Sequence, residues 1–221
     1  MNTPVIVRSL RSEPSLCNTG SPVVMGPVEI GMVLDQSSSM ASYVSDVITG
    51  YNAILEEQKN LSLQTRVSLT LFDSTVSTPY QGEDIIRAPL LDQQTYSPAG
   101  MTALYDGIMV SINTLATRVD LLPDSPQVIV AILSDGEENS SVSHTREEVK
   151  QTIIYRQDCC GWRFLYLGPH ASKTAYALGI PVSNALAITA SRDGIKQALT
   201  RLKGALTNLR LGKTTDVFRL K

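Results

Sequence analysis

The run QVIVAIL at Gln127 to Leu133 limits the possible folds more than any other stretch of the chain. It is apolar without alternation and rich in β-branched residues, so as a strand it has no face suited to water. Such a strand must be covered above and below, which is the position of a central strand in a parallel sheet. It is also the longest apolar stretch, far short of the ~20 residues that cross a bilayer, and no membrane helix is expected. Parallel neighbours require crossover connections, usually helical. The rest of the sequence should therefore alternate short apolar runs with helical periods.

It does so from Val28 onward. Val28 to Leu34 reads as a strand. Val44, Val47, Ile48, Tyr51, Ile54 and Leu55 then recur at helical spacing, with Glu56, Glu57 and Lys59 on the wet side. Arg66 to Phe72 is a β-branched strand, and Thr75 to Tyr80 follows as an edge partner closed through Asp73-Ser74. Thr102 is placed to cap a helix with Leu104, Ile108, Ile112 and Leu115 facing inward. After the central strand come a helix from Thr145 to Gln157, a strand from Trp162 to Gly168, a short helix from Lys173 to Leu178 and a short strand from Ala185 to Thr189. Ser191 caps a last helix ending near Leu209, with Ile195, Leu199, Leu202 and Leu206 on one face. Right-handed crossovers then give a doubly wound, Rossmann-like α/β sheet, mostly parallel with one antiparallel edge strand and helices on both faces.

The flanks differ in character. Residues 1–27 carry Pro4, Pro14, Pro22 and Pro27 without a sustained period and read as an extended arm, within which Pro4 to Leu10 can pair as an edge strand. Residues 28–211 form the domain, and residues 212–221 read as a polar tail. With 19 Lys+Arg against 21 Asp+Glu the net charge is −2, which argues against nucleic-acid binding through a basic surface. Val5 to Val7 is too brief for the apolar core of a signal peptide, so a cytoplasmic location is expected. Cys17, Cys159 and Cys160 are an odd set and do not read as a disulfide framework. The adjacent pair reads as semi-buried packing ahead of a strand. His144 and His170 show no evident partner, and two histidines make a zinc site improbable.

Ligands on open α/β sheets bind beyond the carboxyl ends of the strands. Those places hold Asp35-Gln36-Ser37-Ser38-Ser39, Gly100-Met101-Thr102 and Ser134-Asp135-Gly136. The carboxylates of Asp35 and Asp135 and the hydroxyls of Ser37, Ser39 and Thr102 are hard oxygen donors, suited to Mg²⁺ or Mn²⁺. The spacing D-x-S-x-S lets one strand-to-helix turn aim alternate side chains at one point. The metal-free reading of the same residues is turn formation and helix capping by Ser37 and Ser39, with Asp135-Gly136 as an ordinary turn.

This constellation resembles the von Willebrand factor A domains, whose metal-ion-dependent adhesion site joins D-x-S-x-S to a distant Thr and a distant Asp. The similarity runs over about Val28 to Leu209. Phrases such as YNAILEEQK, GMTALYDGI and LSDGEENSS look like stand-alone bacterial or phage members. The resemblance implies that Ser37, Ser39 and Thr102 supply hydroxyl ligands and that Asp35 and Asp135 bind directly or through water. The metal would be Mg²⁺, with Mn²⁺ or Ca²⁺ as alternatives. It further implies a protein partner offering Asp or Glu to the metal, neither nucleic acid nor membrane as ligand, and no catalysis. Some bacterial relatives work beside AAA-type ATPases or in stress and phage-defence systems with kinases and phosphatases.

Neighbouring residues have plainer readings. Glu137, Glu138 and Asn139 either line the metal rim or form a solvated loop; an acidic rim would disfavour acidic partners beyond the one coordinating carboxylate. Asp73 reads as a turn residue and Asp106 as first-turn helix support without direct ligation. Two other functions are compatible with the chain. One is a Mg²⁺-dependent phosphatase or hydrolase with Asp35 as nucleophile, although the position two residues on, where such an enzyme needs a general acid, is Ser37. The other is a metal-independent scaffold docking through the arm by strand addition.

Overall fold

A computed structural model of the chain describes residues 26–61, 64–122, 125–213 and 217–218. The strands β1 (Val28–Asp35), β2 (Thr65–Phe72), β3 (Val76–Asp84), β4 (Gln127–Leu133), β5 (Arg163–Gly168) and β6 (Ala185–Ala187) form one sheet in the order β3-β2-β1-β4-β5-β6. Only the β2–β3 pairing is antiparallel. The helices are α1 (Val44–Lys59), α2 (Leu104–Val119), α3 (Arg146–Asp158), α4 (Ala171–Ala177) and α5 (Arg192–Arg210).

The all-apolar run that requires two covers receives them. Ile129, Ala131 and Leu133 of β4 join Ile30, Met32 and Leu34 of β1 in a core beneath α1 and α5, with Val47, Tyr51, Leu199 and Leu202. The alternate residues Val128, Val130 and Ile132 face a second core with Ile108 and Ile112 of α2, Val149 and Ile153 of α3 and Ala175 of α4. Fully burying each of these side chains contributes about 1.5–3 kcal/mol, so both layers are held mainly by the sheet's two faces. Close approach of α1 to α5 depends on Gly50, where an added Cβ would lie 2.5 Å from Leu199 Cδ1 and 2.8 Å from its Cβ.

Element starts follow local chemistry. Thr145 caps α3 in a reciprocal box with Glu148, and the Ser191 hydroxyl accepts the Gly194 N–H at 3.1 Å to start α5. The edge strand β3 runs four residues beyond the expected Tyr80 end. It tolerates Pro79 because it pairs on one side only, with register shifts on either side of Leu69. β6 is shorter than expected, ending at Ala187. A short 3₁₀ helix over Ser38–Tyr43 precedes α1, which the apolar period did not foretell.

Several expectations need correction. Thr102 does not cap α2: the N-cap position is Ala103, and no side chain caps it. Cys159 and Cys160 are exposed rather than semi-buried, because the chain turns at the surface after α3 and Trp162 fills the core instead. His144 has a partner, its Nδ1 lying 3.0 Å from Asp106 Oδ1. Within the segment read as a polar tail, Val217 and Phe218 are buried against the α1/α5 core, and Arg201 Nη2 donates to the Phe218 carbonyl at 2.6 Å. The arm, with its candidate strand Pro4 to Leu10 and Cys17, lies outside the described residues except for Gly26 and Pro27.

Candidate functional site

The sheet order reverses between β1 and β4, whose chains continue in opposite directions across the sheet. The carboxyl ends of these two strands therefore border a crevice. Asp35 ends β1 and is fully buried. Its Oδ1 accepts the Ser37 N–H at 2.7 Å, folding the following turn back over the strand end. Its Oδ2 accepts the Ser134 hydroxyl at 2.5 Å from the end of β4. The hydroxyls of Ser37 and Ser39 lie 3.0 Å apart, and Ser39 donates to Asp135 Oδ1 at 2.6 Å. Neither serine caps the 3₁₀ helix through its side chain. A Cβ placed on Gly136 would stand 3.4 Å from Thr102 Oγ1 and 3.9 Å from Ser39 Oγ. The five residues singled out in the sequence thus converge at one crevice.

A second layer of contacts fixes that convergence. The Tyr96 hydroxyl donates to the Asp35 carbonyl at 2.6 Å. Backbone bonds from Ala99 N to the Gln36 carbonyl (2.8 Å) and from Ser38 N to the Gly100 carbonyl (3.1 Å) tie the loop before α2 to the D-x-S-x-S turn. Gly100 sits at φ +65°, in the left-handed region that favours glycine. Asn139 grips Thr102 on both backbone sides, and the loop carrying Asn139 is itself wound on two carboxylates. Glu138 accepts from Ser140 N, Ser141 N, the Ser141 hydroxyl and Tyr105 N. Asp106 accepts from Val142 N, Ser143 N, His144 N and the His144 ring. Asp73 is the expected turn residue, accepting Thr75 N at 2.7 Å.

The rim expectation therefore divides. Glu137 is exposed and lines the cavity beside Asp135; Glu138 lines it too, but its carboxylate is spent on its own loop and on Tyr105 N. Ser134 and Tyr96 were not anticipated as site-building residues, and Asn139, expected at the rim or in a solvated loop, binds the Thr102 backbone instead. The polar run SDGEENSS held a signal for Ser134; Tyr96, in the loop ahead of Gly100, held none.

Charge in the crevice is poorly compensated by the protein. Burial pushes the Asp35 carboxyl above the usual carboxylate range, against the hydrogen bonds from Ser134 and Ser37, and the nearby Asp135 charge adds to the rise. Burial likewise raises Asp135, opposed by its bond from Ser39. Among the described residues no Lys, Arg or His forms an ion pair with either carboxylate. No group of three or more His, Cys, Asp and Glu converges among them either. A cation here would draw on two carboxylates completed by hydroxyls, a hard oxygen set.

No protein-family model matches the sequence, and no curated protein matches it. Solved structures do match. The pilus adhesin SpaC from Lactobacillus rhamnosus GG aligns with TM-score 0.63 and 16% identity over 81% of this chain and 30% of its own. The minor pilin PilB from Streptococcus sanguinis aligns with TM-score 0.61 and 10% identity over 89% of this chain and 64% of its own. Proximal thread matrix protein 1 from the mussel byssus, with a zinc-occupied MIDAS motif, aligns with TM-score 0.57 and 16% identity over 81% and 45%. The chain thus spans between 30% and 64% of the length of these structures. Its α/β, Rossmann-like fold is that of the von Willebrand factor A domains. Among the described residues no helix is long and apolar enough to cross a membrane.

Proposed function

We propose that the chain is a metal-dependent protein-interaction module in which Asp35, Ser37, Ser39, Thr102 and Asp135 hold a divalent cation, Mg²⁺ by the hardness of the donors. The observation that carries this reading is the meeting of a fully buried Asp35 carboxylate and a half-buried Asp135 carboxylate with three hydroxyls and, among the described residues, no ion-paired cationic side chain. A protein does not leave such a pair uncompensated without cost. Turn formation alone would need neither the second carboxylate nor the approach of Thr102. The zinc in the mussel protein's MIDAS motif supports the same use of the fold.

When bound, the cation supplies an electrophilic position to which a partner's Asp or Glu can coordinate. The protein's residues orient that position: Asp35 is fixed by Ser134 and by its own turn, Asp135 is held by Ser39, and Thr102 is held by Asn139. Catalysis is not part of this proposal, because Ser37 stands where a phosphatase using Asp35 would need a general acid.

The test is a pull-down from the native host with full-length wild type and Asp35→Ala, each with Mg²⁺ and with EDTA, alongside calorimetric titration with Mg²⁺ and Mn²⁺. Partner capture that requires both Asp35 and metal supports the reading, and recovery of an AAA-type ATPase or a kinase or phosphatase component would specify its setting. Capture indifferent to EDTA and to the substitution would overturn it in favour of a metal-independent scaffold.

A further inference from the structure

Beside the metal crevice lies a cavity of about 440 Å³, within the size range of small-ligand pockets. Its lining joins Asp135, Gly136, Glu137 and Glu138 from the loop after β4 to Arg146, the first residue of α3, and to Pro169, His170 and Lys173 at the start of α4. Leu104, Leu178 and the Tyr105 side chain add apolar surface to the lining. The charges facing it are unequally occupied. Glu138 accepts four donors from its own loop and from Tyr105. Asp135 is directed to Ser39 and the crevice. The side chains of Arg146 and Lys173, by contrast, form neither an ion pair nor a hydrogen bond with another described residue, and Arg146 is close enough to lower the Tyr105 phenol's pKa against the larger effects of burial and Glu138. The cavity thus joins acidic residues that adjoin the cation position to two cations whose side chains are unpartnered among the described residues.

We propose that this groove is an acidic-peptide subsite: a partner segment places one carboxylate on the crevice cation and a second carboxylate, further along the same segment, against Arg146 and Lys173. The proposal rests on the metal reading for the first contact and names the chemistry of the partner for the second. It also departs from the expectation that an acidic rim disfavours acidic partners beyond the one coordinating carboxylate, since the Glu138 carboxylate is spent internally and Arg146 and Lys173 line the same cavity. The apolar lining accommodates the intervening residues, and Glu137, two residues from Asp135, disfavours segments that place the second acid too close to the first.

The experiment uses the full chain and fluorescent Gly/Ser-based peptides bearing either a single Asp or an Asp followed by a Glu after one to four intervening residues, titrated in Mg²⁺ and in EDTA. At low ionic strength at least one two-acid peptide is expected to bind roughly five- to tenfold more tightly than the single-acid peptide. That preference should disappear in Arg146→Gln/Lys173→Gln, while Asp35→Ala loses Mg²⁺-dependent binding of every peptide. Equal affinity for single- and two-acid peptides in wild type, with both dependent on Mg²⁺, would overturn the subsite and leave the metal site standing. A preference that survives in EDTA but is lost in the double variant would keep the groove and overturn the metal reading. A preference unaffected by the double variant would overturn the assignment to Arg146 and Lys173. Binding of no peptide in Mg²⁺ would overturn both.

Discussion

Asn139 holds Thr102 by both sides of its backbone, its Oδ1 accepting the Thr102 N–H at 2.8 Å and its own N–H donating to the Thr102 carbonyl at 3.1 Å. Thr102 lies just ahead of α2 and is not needed as its cap, so its hydroxyl is free for the crevice. In Asn139→Ala the backbone N–H of residue 139 remains but the side-chain acceptor is lost. Metal affinity is expected to fall about 10–100-fold, the usual effect of removing a group that orients a ligand. Calorimetric titration with Mn²⁺ measures it. Unchanged affinity together with lowered thermal stability would reduce Asn139 to a loop staple.

Asp35→Asn separates the metal reading from the turn reading. An Asn carbonyl oxygen can still accept the Ser37 N–H, and its amide can donate to the Ser134 hydroxyl, so both local partners survive. The substitution also removes a carboxylate that burial disfavours in its charged form. Without metal the variant is expected to be at least as stable as wild type. With Mg²⁺ at a hundred times its dissociation constant, wild type gains about 2.7 kcal/mol by mass action and the variant gains much less. Thermal melts with and without Mg²⁺ decide the matter, and equal gains in the two proteins would remove Asp35 from the ligand set.

Much of this fold was legible because its signals are local and periodic. QVIVAIL announced a strand covered twice, and its alternate residues do divide between the two cores. The helix start at Ser191 was readable from capping chemistry, and the start near Thr145 was placed as well, its capping box emerging only in the structure. The meeting of Asp35, Ser37, Ser39, Thr102 and Asp135 was legible because strand ends on a parallel sheet converge. What could not be read was contact between segments far apart in sequence. Tyr96 reaches the Asp35 carbonyl across a loop without periodicity. Glu138 looks like a solvated charge, yet turns inward to accept the N–H of Tyr105, 33 residues away. Cys160 and Phe218 were misjudged for the same reason, since polarity along the chain does not say which side of a turn meets the core.

Gly136→Ala tests how tightly the crevice is drawn. Its backbone does not require glycine by φ, and the added methyl would stand 3.4 Å from Thr102 Oγ1, close contact but not a collision with main chain. Folding stability is expected to change by under about 1 kcal/mol, as for a tolerated small substitution. Metal-dependent peptide binding should weaken measurably because the methyl crowds the donor hydroxyls. A variant that binds as wild type would place the cation away from Gly136.

Asp106 is the anchor of the loop that carries Asn139, and it reports on acid stability. Burial works to raise its carboxyl, but the N–H groups of Val142, Ser143 and His144 and the His144 ring outweigh it and hold the carboxyl below the ordinary range. Asp106→Ala strands those donors and is expected to cost about 2–3 kcal/mol in urea unfolding, with faster amide exchange over residues 138–144. The sign of the pH dependence follows from the lowered value. A carboxyl more acidic in the folded state stabilises it fully above the unfolded-state pKa of about 3.9, and that contribution is lost as pH falls through the lower folded value. The stability difference between wild type and Asp106→Asn should therefore hold steady from neutral pH down to the carboxylate range and close below it. A difference that stays constant through that range would mean the loop is held by its backbone geometry and not by the Asp106 charge.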